Sequence, residues 1–195
     1  MSSGQVEITE LDVGGRRLLI VDGLVDADAV ADLFDRLRYL PYKLNDADRD
    51  DTRDYRHFKH EFGVDADTAD PFTALLAEKA RDLLRSQGVE CGAVHRIYAN
   101  LNLFGDFQFA HEDGDGWTAL LFANGEWHED WGGEFIAYPE DGLPFAYSIL
   151  PKPGTMLIFD GMMRHRGGVP SKLCHLPRIS IAIKFRRRHS PSAGD

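Results

Sequence analysis

The feature that most constrains this sequence is a change in hydrophobic periodicity near Ala93. Before that residue apolar side chains recur at helical spacing, whereas after it they alternate with polar ones along short runs. Turn signals rich in glycine, proline and asparagine separate these runs. The predicted strands cover residues 94–104, 117–123, 134–138, 146–150, 155–159, 165–169 and 178–185. Many short strands after a helical half predict a mainly β fold, either a sandwich or a jelly roll.

The first and last of these strands each have one polar and one apolar face. The polar positions are Arg96, Tyr98, Asn100 and Asn102 in the first strand and Arg178, Ser180, Ala182 and Lys184 in the last. A sheet face exposed to solvent is one interpretation of this pattern. The amphipathic helices need a sheet to cover, however, so we expect the apolar faces to meet the helices. The polar faces then point into a barrel, where arginine and asparagine are costly unless they contact a ligand.

The first ninety-two residues are predicted to form a supporting layer of helices and a short strand. The strand covers residues 16–21, and a helix capped by Asp26 follows it. A second helix has Asp70 at its cap and Pro71 at its first position, which are typical start signals. We expect the helices to pack on the outside of one sheet.

Residues 42–64 are dense in charge and allow two interpretations. One is an exposed loop, and the other is a lid that brings Tyr55, Arg56 or His57 to a substrate. We expect a single domain over residues 1–187, with the supporting layer in 1–92, the β core in 93–187 and a flexible tail in 188–195.

Composition excludes several classes of protein. The chain has 195 residues, 43% of them hydrophobic, which suits one well-buried core. A formal net charge of −10 argues against a nucleic-acid partner or an anionic membrane. No apolar run approaches membrane-spanning length, and no secretory signal is recognisable. With only two cysteines, a disulfide framework is not expected, and we predict a cytoplasmic protein.

Two His-x-Asp triplets are candidates for a metal site, beginning at His111 and at His128. His111 and Asp113 would point the same way in a strand. Four predicted strands lie between them and His165, the number that a jelly roll needs to return a late histidine beside an early strand. Only three predicted strands lie between the triplet at His128 and His165, and that triplet lies in a turn-rich segment. Two imidazoles and one carboxylate leave three coordination positions open, which suits Fe(II).

The stretch from Arg96 to Arg187 resembles the Fe(II)/2-oxoglutarate-dependent dioxygenase superfamily, especially its bacterial prolyl-4-hydroxylase-like branch. The segments that carry the resemblance are His111-Glu112-Asp113, Trp131-Gly132-Gly133-Glu134, Pro151-Lys152-Pro153-Gly154 with Leu157-Ile158-Phe159, His165, and Arg178-Ile179-Ser180. The resemblance implies a double-stranded β-helix, a jelly roll of the cupin-like kind.

It also implies roles for individual residues. His111, Asp113 and His165 match the iron ligands, and Arg178 matches the residue that pairs with the distal carboxylate of 2-oxoglutarate. A planar guanidinium suits that carboxylate because it can donate two parallel hydrogen bonds. Ser180, Asn100 and Asn102 match further 2-oxoglutarate contacts. The implied cofactors are Fe(II), 2-oxoglutarate as co-substrate and O2, with ascorbate as the expected reductant.

The implied activity is oxidative decarboxylation of 2-oxoglutarate to succinate, coupled to hydroxylation or a related C–H oxidation. We expect a small-molecule substrate, such as an amino acid or a natural-product intermediate, and a monomer or homodimer. The residues expected to meet the substrate are Arg96, Tyr98, Trp117, Tyr55 and Arg56. A prolyl hydroxylase acting on a protein or peptide and a non-enzymatic cupin-like metal-binding sensor are the alternatives.

Overall fold

Two antiparallel sheets form the framework of the protein in the computed structural model, which describes residues 5–65, 67–139 and 143–188. The larger sheet has eight strands in the order β1-β2-β9-β6-β11-β5-β4-β3, and the smaller has three in the order β10-β7-β8. The strands are β1 Glu7–Val13, β2 Arg16–Asp22, β3 Lys43–Asp46, β4 His57–Phe62, β5 Cys91–Asn102, β6 Gly116–Phe122, β7 Phe135–Ala137, β8 Tyr147–Ile149, β9 Met156–Asp160, β10 His165–Gly167 and β11 Arg178–Arg187. A mainly β fold is therefore confirmed.

Two helices cover one face of the larger sheet, as the sequence predicts. Helix α1 (Ala27–Leu37) begins where Ala29 N donates to Asp26 Oδ1 at 2.8 Å. Helix α2 (Pro71–Ser86) begins where Thr73 N donates to Asp70 Oδ1 at 3.0 Å. These hydrogen bonds satisfy backbone donors that the first helical turn leaves free. The apolar sides of both helices share one core with the isoleucines of β11.

The inner face of the larger sheet meets the smaller sheet around a second core. Its buried members include Phe122, Phe135, Phe159 and Met163. The polar positions of β11 share this inner side and are buried as well, with Arg178 only 2% exposed. The polar face of β11 therefore points into the fold as predicted, whereas on β5 the Arg96 side chain is still 37% exposed.

The N-terminal half contributes more to the sheet than the sequence predicts. The segment 42–64 is not a loop throughout, because β3 and β4 lie within it and β4 pairs with β5 from Phe58 to Phe62. On the other side, β1 and β2 extend the larger sheet beyond β9. Four of the eight strands thus come from residues that were expected to be a supporting layer.

Two further predictions concern the ends and the exterior of the chain. The predicted tail over 188–195 lies outside the described residues, apart from Arg188. Within the described ranges, neither helix is long and apolar enough to cross a membrane.

The packing of α2 can be tested by replacing Leu84 with alanine. Leu84 is 0% exposed and belongs to the core between helices and sheet, so we expect the free energy of unfolding to fall by about 2–5 kcal/mol. Leu75 lies on the same helix but is 52% exposed, so Leu75→Ala is a matched control with an effect within about 0.5 kcal/mol. Urea unfolding followed by circular dichroism measures both values. Equal losses would contradict this packing.

Candidate metal centre

Backbone pairing brings His111 and His165 side by side. His111 N donates to His165 O at 2.8 Å, and His165 N donates to His111 O at 2.9 Å. This isolated bridge joins the segment after β5 to the start of β10. The two imidazole rings consequently lie with their centroids 4.6 Å apart.

The orientation of both rings is fixed by contacts of Nδ1 with backbone carbonyl oxygens. His111 Nδ1 lies 3.0 Å from Phe109 O, and His165 Nδ1 lies 2.8 Å from Met163 O. A carbonyl oxygen only accepts, so each Nδ1 carries a hydrogen, and in the neutral ring Nε2 keeps its free electron pair. Such hydrogen bonds behind a ring are the usual support of a metal-binding histidine.

Asp113 completes the group. Its backbone N donates to Gly161 O at 2.7 Å. Its carboxylate faces both rings, with Oδ1 3.5 Å from His111 Nε2 and Oδ2 3.6 Å from His165 Nε2. One potential ligand atom from each of the three residues lies within 4.8 Å of the others. Two imidazole nitrogens and a carboxylate oxygen on one side fit a divalent ion such as Fe(II) and leave its other side open.

Electrostatics keeps two of these groups in the states that a metal requires. Burial disfavours the ionised form of Asp113, but Lys184 and His165 outweigh it and hold the pKa of this carboxyl well below its ordinary value. Burial lowers the pKa of His165 to about 4, so this imidazole is neutral at pH 7. Metal ligands must be deprotonated, and both residues meet that condition.

The three residues open into a polar cavity of about 210 Å³. Arg178, Ser180 and Asn100 line it together with the three candidate ligands. Asn102 is 0% exposed and lies opposite Arg178 in the register of β5 and β11. The four predicted 2-oxoglutarate contacts are therefore neighbours in space, although their roles stay predictions.

Several polar atoms of this group have no partner. Among the described residues, Arg178 Nη2, Ser180 Oγ, Asn100 Oδ1 and both side-chain polar atoms of Asn102 are buried without a hydrogen bond. Arg178 Nε donates to Gly133 O at 2.6 Å, and its guanidinium lies 5.5 Å from the centre of the Phe122 ring. Buried polar atoms in proteins are nearly always paired, so this concentration indicates space for a polar ligand.

Gly133 is required where β7 approaches Arg178. Its φ of +78° is one that side chains rarely adopt, and an added Cβ would lie 2.9 Å from the Trp127 ring and 3.1 Å from Arg178 Cδ. The Gly132-Gly133 pair belongs to one of the segments that carry the family resemblance. Its second member also lets the backbone carbonyl hold the guanidinium.

The structure places the predicted substrate residues in different surroundings. Arg96 and Tyr98 line the cavity, and the Arg96 guanidinium lies 4.3 Å from the centre of the Tyr98 ring. Trp117 does not line it, because the side chain points to the opposite side of β6 and packs under the helices. Tyr55 and Arg56 lie outside the cavity, and Tyr55 contacts Phe109 with ring centroids 5.2 Å apart.

Three further residues lie at the site, and of these only His57 was considered as a site residue from the sequence. His57 lines the cavity at 3% exposure, which agrees with the interpretation that its segment reaches the site. Lys184 and Thr118 both contact Asp113 Oδ2, and Thr118 Oγ1 donates to it at 2.6 Å. The alternation of β11 already put Lys184 on the cavity side and was the available signal.

The second His-x-Asp triplet lies outside the cavity, with the His128 side chain 61% exposed.

Comparison with known proteins relates this geometry to solved structures. No protein-family model matches the chain, and no curated protein is significantly similar to it. A prolyl-4-hydroxylase from Pseudomonas putida matches with a TM-score of 0.67 at 18% identity, over 91% of this chain and 94% of the other.

Two further structures are similar. A viral collagen prolyl hydroxylase from Paramecium bursaria Chlorella virus-1, solved as its 2-oxoglutarate complex, gives a TM-score of 0.64 at 16% identity, over 88% of this chain and 96% of the other. SnoK, a non-haem α-ketoglutarate-dependent carbocyclase of nogalamycin biosynthesis, gives 0.63 at 9% identity, over 90% and 80%.

These likenesses confirm, at the level of the fold, the resemblance seen in the sequence motifs. The fold of two antiparallel sheets is shared with these enzymes. The chain has the double-stranded β-helix fold of the 2-oxoglutarate- and Fe(II)-dependent oxygenases.

Proposed function

We propose that this protein is an Fe(II)/2-oxoglutarate-dependent dioxygenase that converts 2-oxoglutarate to succinate while hydroxylating, or otherwise oxidising, a C–H bond of a small molecule. The observation that carries the proposal is the Arg178 guanidinium. It is 2% exposed, it lines the same cavity as His111, Asp113 and His165, and it has no salt bridge with any carboxylate in the described part of the chain.

A buried cation that lacks a salt bridge lowers the stability of the fold, so Arg178 indicates an anionic ligand. Burial lowers the pKa of Arg178 to about 10, against the opposing influence of Glu134, and the group still carries its charge at pH 7. Its free Nη2 and the free Ser180 hydroxyl are both donors. A carboxylate at this end of the cavity would accept hydrogen bonds from both.

The proposed mechanism assigns each residue a separate task. His111, Asp113 and His165 would hold Fe(II), which with 2-oxoglutarate and O2 supplies an oxidant for an unactivated C–H bond. Arg178 and Ser180 would orient the far carboxylate of 2-oxoglutarate, and Asn100 and Asn102 would satisfy its remaining polar contacts. Ascorbate is the expected reductant that keeps iron as Fe(II).

The substrate end of the cavity is ionic. Arg96 contacts Glu61 at 2.8 Å, and Lys59 contacts Asp46 at 2.6 Å. We propose that Arg96 and Tyr98 meet the substrate, while Trp117, Tyr55 and Arg56 stay predictions without a contact to the cavity. A wall with both signs of charge suits a small polar molecule such as an amino acid, and the likeness to SnoK supports a substrate from small-molecule metabolism. We further propose a cytoplasmic monomer or homodimer without a nucleic-acid partner.

A protein or peptidyl proline is the second candidate substrate, because two of the similar structures are named as prolyl hydroxylases. Succinate formation separates the candidates when the protein is supplied with Fe(II), ascorbate and 2-oxoglutarate. The panel should pair free amino acids with proline-containing peptides. Stimulation by peptides alone would replace the small-molecule proposal, and tight metal binding without 2-oxoglutarate binding would favour the sensor.

The metal ligands can be tested by comparing the two His-x-Asp triplets. We expect a single Fe(II) per wild-type chain, with Mn(II), Co(II) or Ni(II) as inactive substitutes. His111→Ala should weaken binding by more than about 100-fold, since even residues that only support a ligand contribute about 10- to 100-fold. His128→Ala is the matched control and should bind as the wild type does. Anaerobic titration with Co(II), with circular dichroism to verify folding, measures both; full binding by His111→Ala would exclude this site.

Arg178 can be tested through the affinity for 2-oxoglutarate. A charge-assisted, bidentate pair in a desolvated pocket contributes about 2–5 kcal/mol, so Arg178→Ala should weaken 2-oxoglutarate binding roughly 30-fold or more. Arg178→Lys should restore part of it because it keeps the charge but not the fork. Arg187→Ala is the control on the same strand, since Arg187 pairs with Asp160 instead.

The readout is the metal-to-ligand charge-transfer band, titrated without oxygen. Fe(II) affinity should change little in Arg178→Ala, because the guanidinium is expected at the far end of the co-substrate. An unshifted midpoint would remove Arg178 from the site. Absence of the band in the wild type would contradict the dioxygenase proposal itself.

A further inference from the structure

Lys184 is, like Arg178, a buried cation that lines the cavity, and the proposed mechanism gives it no role. It is 7% exposed and lines the cavity. Its Nζ contacts Asp113 Oδ2, and Asp113 is the carboxylate with which it forms a salt bridge among the described residues. Unlike Arg178, it is therefore paired with one of the three candidate ligands.

Thr118 ties the same two groups together. Lys184 and Thr118 are direct neighbours in the register of β11 and β6. Thr118 Oγ1 donates to Asp113 Oδ2 at 2.6 Å and accepts from Lys184 Nζ at 3.2 Å. Two donors thus hold Oδ2, whereas Oδ1 faces His111 Nε2, the ligand atom of another candidate residue, at 3.5 Å.

We infer that Lys184 is a positioning residue for Asp113: with Thr118 it holds Oδ2, leaves Oδ1 free for the metal, and as a buried cation opposes metal binding. The inference rests on the proposed function, since it takes Asp113 as a ligand. According to this inference, Lys184 determines whether the Asp113 carboxylate takes one or two coordination positions on the metal. A carboxylate held by one oxygen leaves more positions open than one that binds through both.

A lysine that opposes metal binding and a lysine that only stabilises the fold have opposite effects on metal affinity, so mutation of Lys184 can distinguish them. A cation a few ångströms from a divalent metal repels it, and in the metal-free protein Lys184 also competes for Asp113. Removing the charge should therefore tighten metal binding. A lysine that only stabilised the fold would give the reverse result, because loss of a buried partner would loosen the site.

The first test is Mn(II) affinity, measured from the electron paramagnetic resonance signal of free Mn(II). Lys184→Gln keeps a donor near Oδ2 but removes the charge, and it should bind Mn(II) about tenfold more tightly or better. Lys184→Arg keeps the charge and should stay within about threefold of the wild type. Lys152→Gln, whose lysine side chain is 67% exposed, controls for the change in net charge. Equal or weaker binding by Lys184→Gln would overturn the inference.

The second test counts the water molecules on bound Mn(II) by water-proton relaxation. In the double variant Lys184→Gln and Thr118→Val, Oδ2 loses the charge and the hydroxyl that hold it, and the carboxylate can bind through both oxygens. If the wild-type ion has three open positions, the double variant has two, and relaxation should fall by about one third. Unchanged relaxation would overturn the positioning role.

Instability of a variant is itself informative. Because tighter binding stabilises the folded state more, saturating Mn(II) should raise the Tm of Lys184→Gln by more than that of the wild type. A variant that folds only with Mn(II) meets this expectation, and one that stays unfolded with Mn(II) contradicts it. If the wild type binds neither Mn(II) nor Fe(II), the proposed function fails as well; if it binds both and the variants bind no tighter, only the role of Lys184 fails.

Discussion

The antiparallel pairing of β11 with β5 on one side and β6 on the other is the constraint on which this structure depends. It fixes a strand that is buried on both faces. Its isoleucines complete the core under the helices, whereas Arg178, Ser180 and Lys184 line the opposite side. Because side chains alternate strictly along a strand, a register shift of a single residue would move isoleucine into the cavity and arginine into the core.

This pairing buries polar and charged side chains, which costs free energy unless they are hydrogen-bonded or paired. Strand β11 carries two buried cations, Arg178 and Lys184, and their charges are balanced in different ways. Lys184 forms a salt bridge with Asp113 and donates a hydrogen bond to Thr118 Oγ1. Arg178 donates to the backbone carbonyl of Gly133 and has no salt bridge to a carboxylate among the described residues. The charge of Lys184 is thus balanced by a carboxylate of the chain, whereas a salt bridge to Arg178 is missing among the described residues.

Much of this arrangement could be predicted from the sequence, because the signals were local. All seven predicted strands of the β half are present, as are the helices with Asp26 and Asp70 at their caps. The inward polar face followed from alternation alone. The pairing of His111 with His165 needed only a count of the strands between them.

Other features could not be predicted because their causes are not local. Strand β1 has mostly exposed side chains, and β3 is short and polar, so both form because a sheet edge is available to them. The contact of Lys184 with Thr118 depends on the register between strands, which the sequence of neither strand specifies. Trp117 was assigned to the cavity although β6 turns it towards the helices.

The bridge between His111 and His165 has a consequence for how the site comes into being. These residues are about fifty positions apart in the chain, and their backbone groups bond directly to each other. Contacts between such distant residues carry a loop-closure cost, which slows folding. The candidate metal site therefore requires that the start of β10 has paired in register with the segment after β5. A chain in which this pairing has not yet formed lacks the site.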